Sequence, residues 1–575
     1  MRRYTLHDKA PTEVHKALGE HPEFIRELLF SRGIRSRADA ETFLTPSFER
    51  DSHDPFLLPD MERAVDRILS AITRGERTAI WSDYDCDGIP GGALLHDFFR
   101  EIGFDRFTNY IPHRHEEGYG LNERGIGRLK EEGVSLIITV DCGITDHAAV
   151  ARANELGIDV IVTDHHLPRP AEAPGKGVCA DDLPPAHAVI NPKRSDSRYP
   201  FDGLSGTGVA WKLVQAILRT HRFGVPEGRE KWLLDLVGIA TVADMMPLVG
   251  ENRALAHFGL LVLRKSPRLG LRKLLALART NQRFLTEDDI GFTIAPRVNA
   301  ASRMDAPDDA FRLLISRDEQ EAAGLAKRLE YLNSARKGVV ASTVKEIKER
   351  IGRKGAPAGL IVMGNPSWRP GLLGLVAGNI AEQYGKPVCL WGREGGDTIK
   401  GSCRSDGSVN VVELMRATNE SFIDFGGHKF SGGFALHGDH VHTIAARFAE
   451  AYERVRSVHS EEEVRVDLEL ALEDATRDTL HRLSALSPFG EQNPKPLFLF
   501  PGVEVSSMRM FGKTKEHLEL SLVRGTSRIK GISFYQTPEH FTRTPHEGVR
   551  VDVVAHLERD AFAHGAPRLR LVDVL

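Results

Sequence analysis

The chain has 575 residues, too many for one hydrophobic core, so roughly three or four domains are expected. Hydrophobic residues make up 41% and charged residues 27%, an ordinary globular balance, and no apolar run is long enough to span a bilayer. A formal net charge of -4 excludes a polycation, so any nucleic acid must be met by a local basic groove. The five cysteines (Cys86, Cys142, Cys179, Cys389, Cys403) are scattered and form no C-x-x-C pair, which argues against a disulfide framework or a zinc knuckle. The opening Met1-Arg2-Arg3-Tyr4 lacks an apolar signal core, and a cytoplasmic protein without a membrane partner is expected.

Residues 1–60 read as short helices closed by Pro46, Pro55 and Pro59, an N-terminal cap. From 61 to 220 one theme repeats. A helix over 61–74 precedes an apolar strand over 77–82, which stops at Asp83, Asp85 and Asp87 and gives way to glycines and a helical run through Ala93–Phe99. A strand is expected over 104–112 and a helix over 122–132. The next strand, 135–140, ends in Asp141-Cys142-Gly143. A helix over 145–156 follows, then a strand over 158–163 ending in Asp164-His165-His166. Continuous β-branched runs alternating with amphipathic helices specify a parallel sheet covered on both faces. Right-handed crossovers bring all three acidic strand ends to one edge, where open α/β sheets hold their ligands.

Three carboxylates within five residues repel one another, and hard oxygen ligands of that kind suit magnesium or manganese. A solvated acidic turn explains the first cluster equally well, but it must be invoked three times, whereas one metal centre accounts for every strand end. His165 and His166 supply imidazoles to the same edge. Residues 231–248 are apolar apart from Asp235 and Asp244. A buried carboxylate costs several kcal/mol unless it is paired or metal-bound. Asp244 is therefore a candidate ligand, while Asp235 is expected on a polar surface stripe.

The segment 295–304 reads as a loop of small residues carrying Arg297 and Arg303 towards phosphates, with a solvated loop as the competing reading. Residues 319–349 read as one or two long connecting helices. The helical stretch is bounded at 221–355, and a second α/β unit is expected over 356–457. That unit has strands at 358–363 and 387–391, a helix at 371–383, and glycine-rich loops at 364–371 and 426–433. Neither loop matches a dinucleotide fingerprint or a Walker A loop. Short alternating runs over 458–575 specify a small antiparallel barrel. There Arg509, Lys513, Lys515, Arg528 and Lys530 lie near Phe511, Phe534 and Tyr535, a mixture suited to single-stranded nucleic acid.

Asp83-Tyr-Asp-Cys-Asp-Gly88, Val140-Asp-Cys-Gly143, Asp164-His-His166 and Thr241-Val-Ala-Asp244 resemble the successive motifs of the DHH phosphoesterase superfamily. Ile111-Pro-His-Arg-His-Glu-Glu-Gly-Tyr-Gly-Leu-Asn122, Pro296–Met304, Phe425–Gly433 and Pro488–Pro494 narrow the resemblance to the RecJ family. Three positions depart from its pattern: Arg369 where His is usual, and Ser302 and Gln492 where Gly is common. The resemblance implies a DHH domain, a helical connector, a DHH-associated domain and an OB-like barrel that closes the chain. It implies 5'→3' hydrolysis of single-stranded DNA to mononucleotides, in repair and recombination, with two Mn2+ or Mg2+ ions. Asp85 and Asp244 would hold one ion, Asp87 and His165 the other, Asp141 would bridge them, and Asp83 would ligate or orient. His166 would clamp phosphate. Substrate contacts would come from Arg114, Arg297, Asn299, Arg303, Arg369, Arg404, Ser405, Gly427, His428 and Lys429. A monomer working with a single-strand-binding protein and a helicase is the implied assembly. The rival readings are a hydrolase of short oligonucleotides or cyclic dinucleotides, and a non-catalytic nucleic-acid-binding scaffold. The preference for DNA over RNA stays open.

Overall fold

The computed structural model describes all residues except 1–2, 171–180, 356, 358, 394–397, 457–462, 513–514, 516, 561–562 and 564. Cys179, Ala358, Lys513 and the expected boundary at 457–458 therefore lie outside the described residues.

A five-stranded sheet runs in the spatial order Phe107–Tyr110, Arg77–Ser82, Val134–Val140, Asp159–Thr163, Ala188–Ile190. Every pairing in it is parallel. Successive strand residues point to opposite faces, and the sequence uses both. Ile80, Ile138 and Ile161 pack with Leu94 and Val214 in one core. Ala79, Ile137 and Val160 pack with Ile126 and Val150 in another. Burial on both sides explains why these strands read as continuous apolar runs.

The sheet also sets the edge. One residue past its strand, the Asp83 amide donates to Val140 O (3.1 Å), the Asp141 amide to Thr163 O (3.0 Å) and the Asp164 amide to Ile190 O (3.1 Å). Three acidic residues are thus stepped across neighbouring strands. The helix Gly88–Glu101 starts so close to this edge that a Cβ on Gly88 would lie 2.5 Å from Asp83 O. A Cβ on Gly206, first residue of the helix Gly206–Thr220, would lie 2.5 Å from Asp141 Cβ.

Two expectations fail in the helical part. Ala295–Met304 is an α-helix, not a loop. Its small residues are chiefly alanines, the best helix formers, and Pro296 sits in the first turn, where its missing N–H costs nothing. Asp235 is 2% exposed instead of lying on the surface. Its Oδ2 accepts from Ser266 Oγ (2.6 Å) and Arg268 Nε (2.8 Å), and Arg268 also reaches Asp97. A partner 33 residues away makes burial of the carboxylate tolerable.

One 36-residue helix, Glu319–Lys354, leads to the next unit. Its Val344, Ile347 and Ile351 share a core with Trp368, Leu373 and Val376. The second sheet has the order Phe422–His428, Ser431–Leu436, Ile399–Arg404, Val388–Gly392, Ile361–Gly364, with only the last pair parallel. The glycine-rich stretch 426–433 is a tight hairpin rather than an open loop. Gly427 has φ +143°, and a Cβ there would meet Ser431 O at 2.3 Å.

The C-terminal barrel closes when Phe498–Phe511 pairs both His517–Arg524 and Arg550–Asp560. The N-terminal residues join this unit. Arg3–Leu6 pairs in parallel with Glu463–Val466. Leu18, Ile25, Leu28 and Leu29 share a core with Phe498, Phe500 and Leu520. Among the described residues, no helix is long and apolar enough to cross a membrane.

Candidate metal centre

At the sheet edge, ligand atoms of Asp83, Asp85 and Asp141 lie within 4.8 Å of one another, as do those of Asp87, His165 and Asp244 and those of Asp141, His165 and His166. Asp141 belongs to two of these groups, and so does His165. Asp244 falls with Asp87 and His165, not with Asp85 as the sequence partition had it. His165 Nε2 stands 3.1 Å from Asp141 Oδ1, 3.6 Å from Asp244 Oδ2 and 3.7 Å from Asp87 Oδ2.

Local geometry holds several of these groups in place. Asp87 caps the Gly206 helix: its Oδ2 accepts from the Gly206 amide (2.6 Å) and its Oδ1 from the Thr207 amide (2.8 Å). Asp85 Oδ1 accepts the amides of Asp87 (2.8 Å) and Gly88 (3.1 Å). Asp141 has φ +62°, a left-handed conformation that is uncommon outside glycine, asparagine and aspartate. Asp164 is fully buried and accepts from Ile144 N, His165 N and His166 N, and from His166 Nδ1 at 2.8 Å. Tyr119 Oη donates to Asp141 O (3.0 Å) and lies 3.2 Å from His166 Nδ1.

The electrostatics call for positive charge. Burial, then the neighbouring carboxylates, push Asp83 and Asp141 well above the usual carboxylate range. The same causes raise Asp87 to about 6 and Asp244 to about 8. Burial, and then His166, lower His165 to about 3, so its imidazole is neutral and fit to ligate. Burial opposes the charge on Asp164, yet the bond from His166 holds it at about 2. His166 is raised to about 9 against its own burial by the Asp164 bond. Asp83 Oδ1 is buried without a protein donor, and Asp141 Oδ1 has none of hydrogen-bonding geometry. Buried, underbonded carboxylates grouped with a neutral imidazole fit hard divalent ions.

The expected substrate residues divide. Arg114 stacks over Tyr84 at 4.7 Å. Arg303, its pKa lowered to about 10 by burial and then by Arg114, remains a cation and donates to Gly371 O (2.9 Å), so it spans the two α/β units. Asn299 Oδ1 accepts the Cys86 amide (3.0 Å), beside the metal acids. Arg404, lowered by burial, adds to the field at Arg303. Arg369 Nη1 lies 3.9 Å from Met304 Sδ. Ser405 Oγ donates to Val409 O (2.6 Å), while His428 and Lys429 are exposed near the hairpin tip beyond Gly427. Arg297 turns away from the site. It is buried, with Nε on Glu330 Oε2 (2.6 Å) and Nη1 on Thr293 O (2.7 Å), and so braces the connecting helix. On the barrel, Arg509 (2.7 Å) and Lys530 (3.6 Å) share Glu519, which reduces the free charge expected there. Sequence reasoning missed the orienting role of Asp164, the Tyr119 hydroxyl and the Gly206–Thr207 amides, although Ser205-Gly-Thr-Gly208 has the form of a helix N-cap.

This parallel sheet, with acids and histidines at its carboxyl edge and a second α/β unit facing them, defines a DHH-type phosphoesterase. The DHH family, N-terminal domain, matches residues 77–241, the DHHA1 domain residues 357–458 and the RecJ OB domain residues 466–573. The single-stranded-DNA-specific exonuclease RecJ of Escherichia coli is 33% identical over 537 residues, covering 90% of this chain and 89% of that protein. Its namesake in Bacillus subtilis is 35% identical over 552 residues, covering 96% and 67%. The crystal structure of RecJ in complex with Mn2+ from Thermus thermophilus superposes with a TM-score of 0.80 at 29% identity, covering 100% of this chain and 79% of that one. The chain belongs to the RecJ family.

Proposed function

We propose that this protein is a metal-dependent exonuclease that hydrolyses single-stranded DNA from its 5' end to 5'-mononucleotides. The observation that carries the reading is the convergence of Asp83, Asp85, Asp87, Asp141, His165 and Asp244 on one sheet edge, beside the cations Arg114 and Arg303. The relatives named as single-stranded-DNA-specific exonucleases, and the manganese and magnesium complexes of RecJ, support the substrate and the ions.

Asp87, His165 and Asp244 would hold one ion, and Asp83 and Asp85 the other, with Asp141 between them. When bound, the ions supply Lewis-acid charge that acidifies water and offsets charge on the reacting phosphate. The chain's own groups prepare the rest. The Gly206 and Thr207 amides fix the Asp87 carboxylate before substrate arrives. Asp164 orients the His166 ring through Nδ1 and favours its protonated form, which would present positive charge towards a phosphate. Arg303, set between the two units, positions the strand and neutralises a further phosphate. Repair and recombination are the setting proposed for this activity, with a single-strand-binding protein and a helicase as partners of a monomer in the cytoplasm.

The test is digestion of a 5'-labelled single strand in manganese, with chelator and duplex controls. Label released at once as a mononucleotide, only from the single strand and only without chelator, supports the reading. Shortening from the unlabelled end would overturn the polarity.

A further inference from the structure

Away from the metal centre, the surface around Leu261–Thr286 departs from the rest of the molecule. The chain as a whole is net negative, yet residues 261–286 contain seven Lys or Arg and no Asp or Glu. Two of the seven are used internally: Arg268 by Asp97 and Asp235, and Lys273 by Glu319. Arg264 donates to Leu285 O (2.8 Å). Lys265, Arg272, Arg279 and Arg283 are exposed, and none of them ion-pairs with a carboxylate among the described residues.

Local hydrogen bonds draw together the segments that carry these cations. Gln282 Nε2 donates to Leu263 O (3.0 Å) and Ser266 O (2.8 Å), and Thr280 N to Leu275 O (2.9 Å). The ends of the helices Gly250–Leu263 and Leu269–Leu277 are thereby clasped by the segment carrying Arg279 and Arg283. Phe284, next to Arg283 in the chain, is 74% exposed. A large aromatic left in water beside exposed arginines suits a stacked base flanked by phosphates.

The patch is not part of the catalytic mouth. Its anchor Arg268 grips Asp97, nine residues along the Gly88–Glu101 helix from the end that meets the metal acids, a rise of about 14 Å. It borders the seam where the barrel meets the helical part, marked by the Lys495–Asp288 ion pair and the Leu248 N to Glu491 O bond (2.8 Å).

We infer that Lys265, Arg272, Arg279, Arg283 and Phe284 form a second binding site for single-stranded nucleic acid, which holds a downstream part of a long strand whose end lies at the metal centre. Exposed guanidinium groups beside an exposed aromatic, with Leu261 and Leu277 the exposed aliphatics of the stretch, favour a nucleic acid over an acidic protein segment. The inference rests on the single-strand reading above, and the experiment keeps the two apart.

The test uses the full chain and a triple variant, R272A/R279N/R283A, with asparagine chosen at 279 because Arg279 has φ +57°. Fluorescence anisotropy of labelled oligo-dT of 8 and 30 nucleotides is read in chelator over a salt series, and hydrolysis of the 8-mer in manganese. For the 30-mer the variant should bind on the order of ten- to a hundred-fold more weakly at low salt. Its log–log salt slope should fall by about 2, near 0.7 for each lost phosphate contact. Binding and hydrolysis of the 8-mer should stay within about two-fold. F284A should weaken the 30-mer alone, on the order of ten-fold. An unchanged 30-mer slope overturns the site, and so does equal loss on both lengths with an unchanged melting curve. So does binding of a twelve-residue Asp/Glu/Leu peptide that the variant loses while keeping the 30-mer, since it assigns the patch to a protein. Failure of the parent to hydrolyse the 8-mer would sink the exonuclease reading and leave the binding comparison standing.

Discussion

Replacing Asp164 with asparagine tests whether the site is prepared from beneath. Asp164 is in none of the ligand groups, yet it is fully buried and accepts four hydrogen bonds, three from backbone amides and one from His166 Nδ1 at 2.8 Å. An asparagine keeps the shape, but half of its amide can only donate. With its oxygen in the place of Oδ1, which accepts three of the four bonds, the asparagine leaves only the Ile144 N–H facing a donor, and His166 loses the negative charge of its partner. A bond to a charged group contributes about 1.5–3 kcal/mol, and His166 would lose the partner charge that helps raise it to about 9. Without that charge the His166 pKa falls, and less of it is protonated at pH 8. We expect kcat/KM on a short single strand in manganese to fall by roughly a hundred-fold, equivalent to about 2.7 kcal/mol. The melting temperature should drop as well, so manganese affinity by calorimetry is measured alongside. Metal binding reduced far less than kcat/KM identifies an orienting role for Asp164. Activity within about three-fold of the parent in a folded variant would refute the reasoning.

Three further outcomes are expected. Arg303→Ala should cut kcat/KM by about ten- to a hundred-fold, one charge-assisted phosphate contact, without changing manganese affinity; equal loss of metal binding would make it a support of the site. Arg268→Ala should destabilise the fold by about 3–5 kcal/mol in denaturant titration, because Asp235 and Asp97 lose their buried partner; a loss under about 1 kcal/mol would contradict that pairing. Asp146, raised to about 6 mainly by burial, is favoured protonated in the fold, so its stabilising protonation is complete below the unfolded value near 4 and lost as pH rises through 6. Asp146→Asn should therefore gain stability over the parent between pH 4 and 7, by at most about 3 kcal/mol, and a pH-independent difference in melting temperature would refute this.

The parts legible in the sequence were those with local causes. The β-branched runs at 77–82, 134–140 and 159–163 fix buried parallel strands because each residue meets a core on its own side, and the acids one residue beyond inherit a common edge. Asp235 was misplaced because its neutralising partner, Arg268, is remote in sequence. Arg297 and Arg303 look alike six residues apart, but on a helix they face different neighbours, one Glu330 and the other Gly371. The alanines of 295–304 are small enough for a loop, but they are also the best helix formers, and the helix wins. The N-terminal segment carries no local sign that its strand partner, Glu463–Val466, lies more than 450 residues away. The partition of ligands between two ions depends on distances that only the folded edge supplies, and there Asp244 joins Asp87 and His165.

The central claim is that the acids gathered at one sheet edge carry out hydrolysis, and Asp141, shared by two ligand groups, is the residue on which that claim turns. The decisive measurement is the rate of mononucleotide release from a 5'-labelled single strand in manganese by the parent and by Asp141→Ala, each checked for retained strand binding. Hydrolysis by the parent, with none detectable from a variant that still folds and binds, is the predicted result. Comparable turnover by the variant would contradict the account.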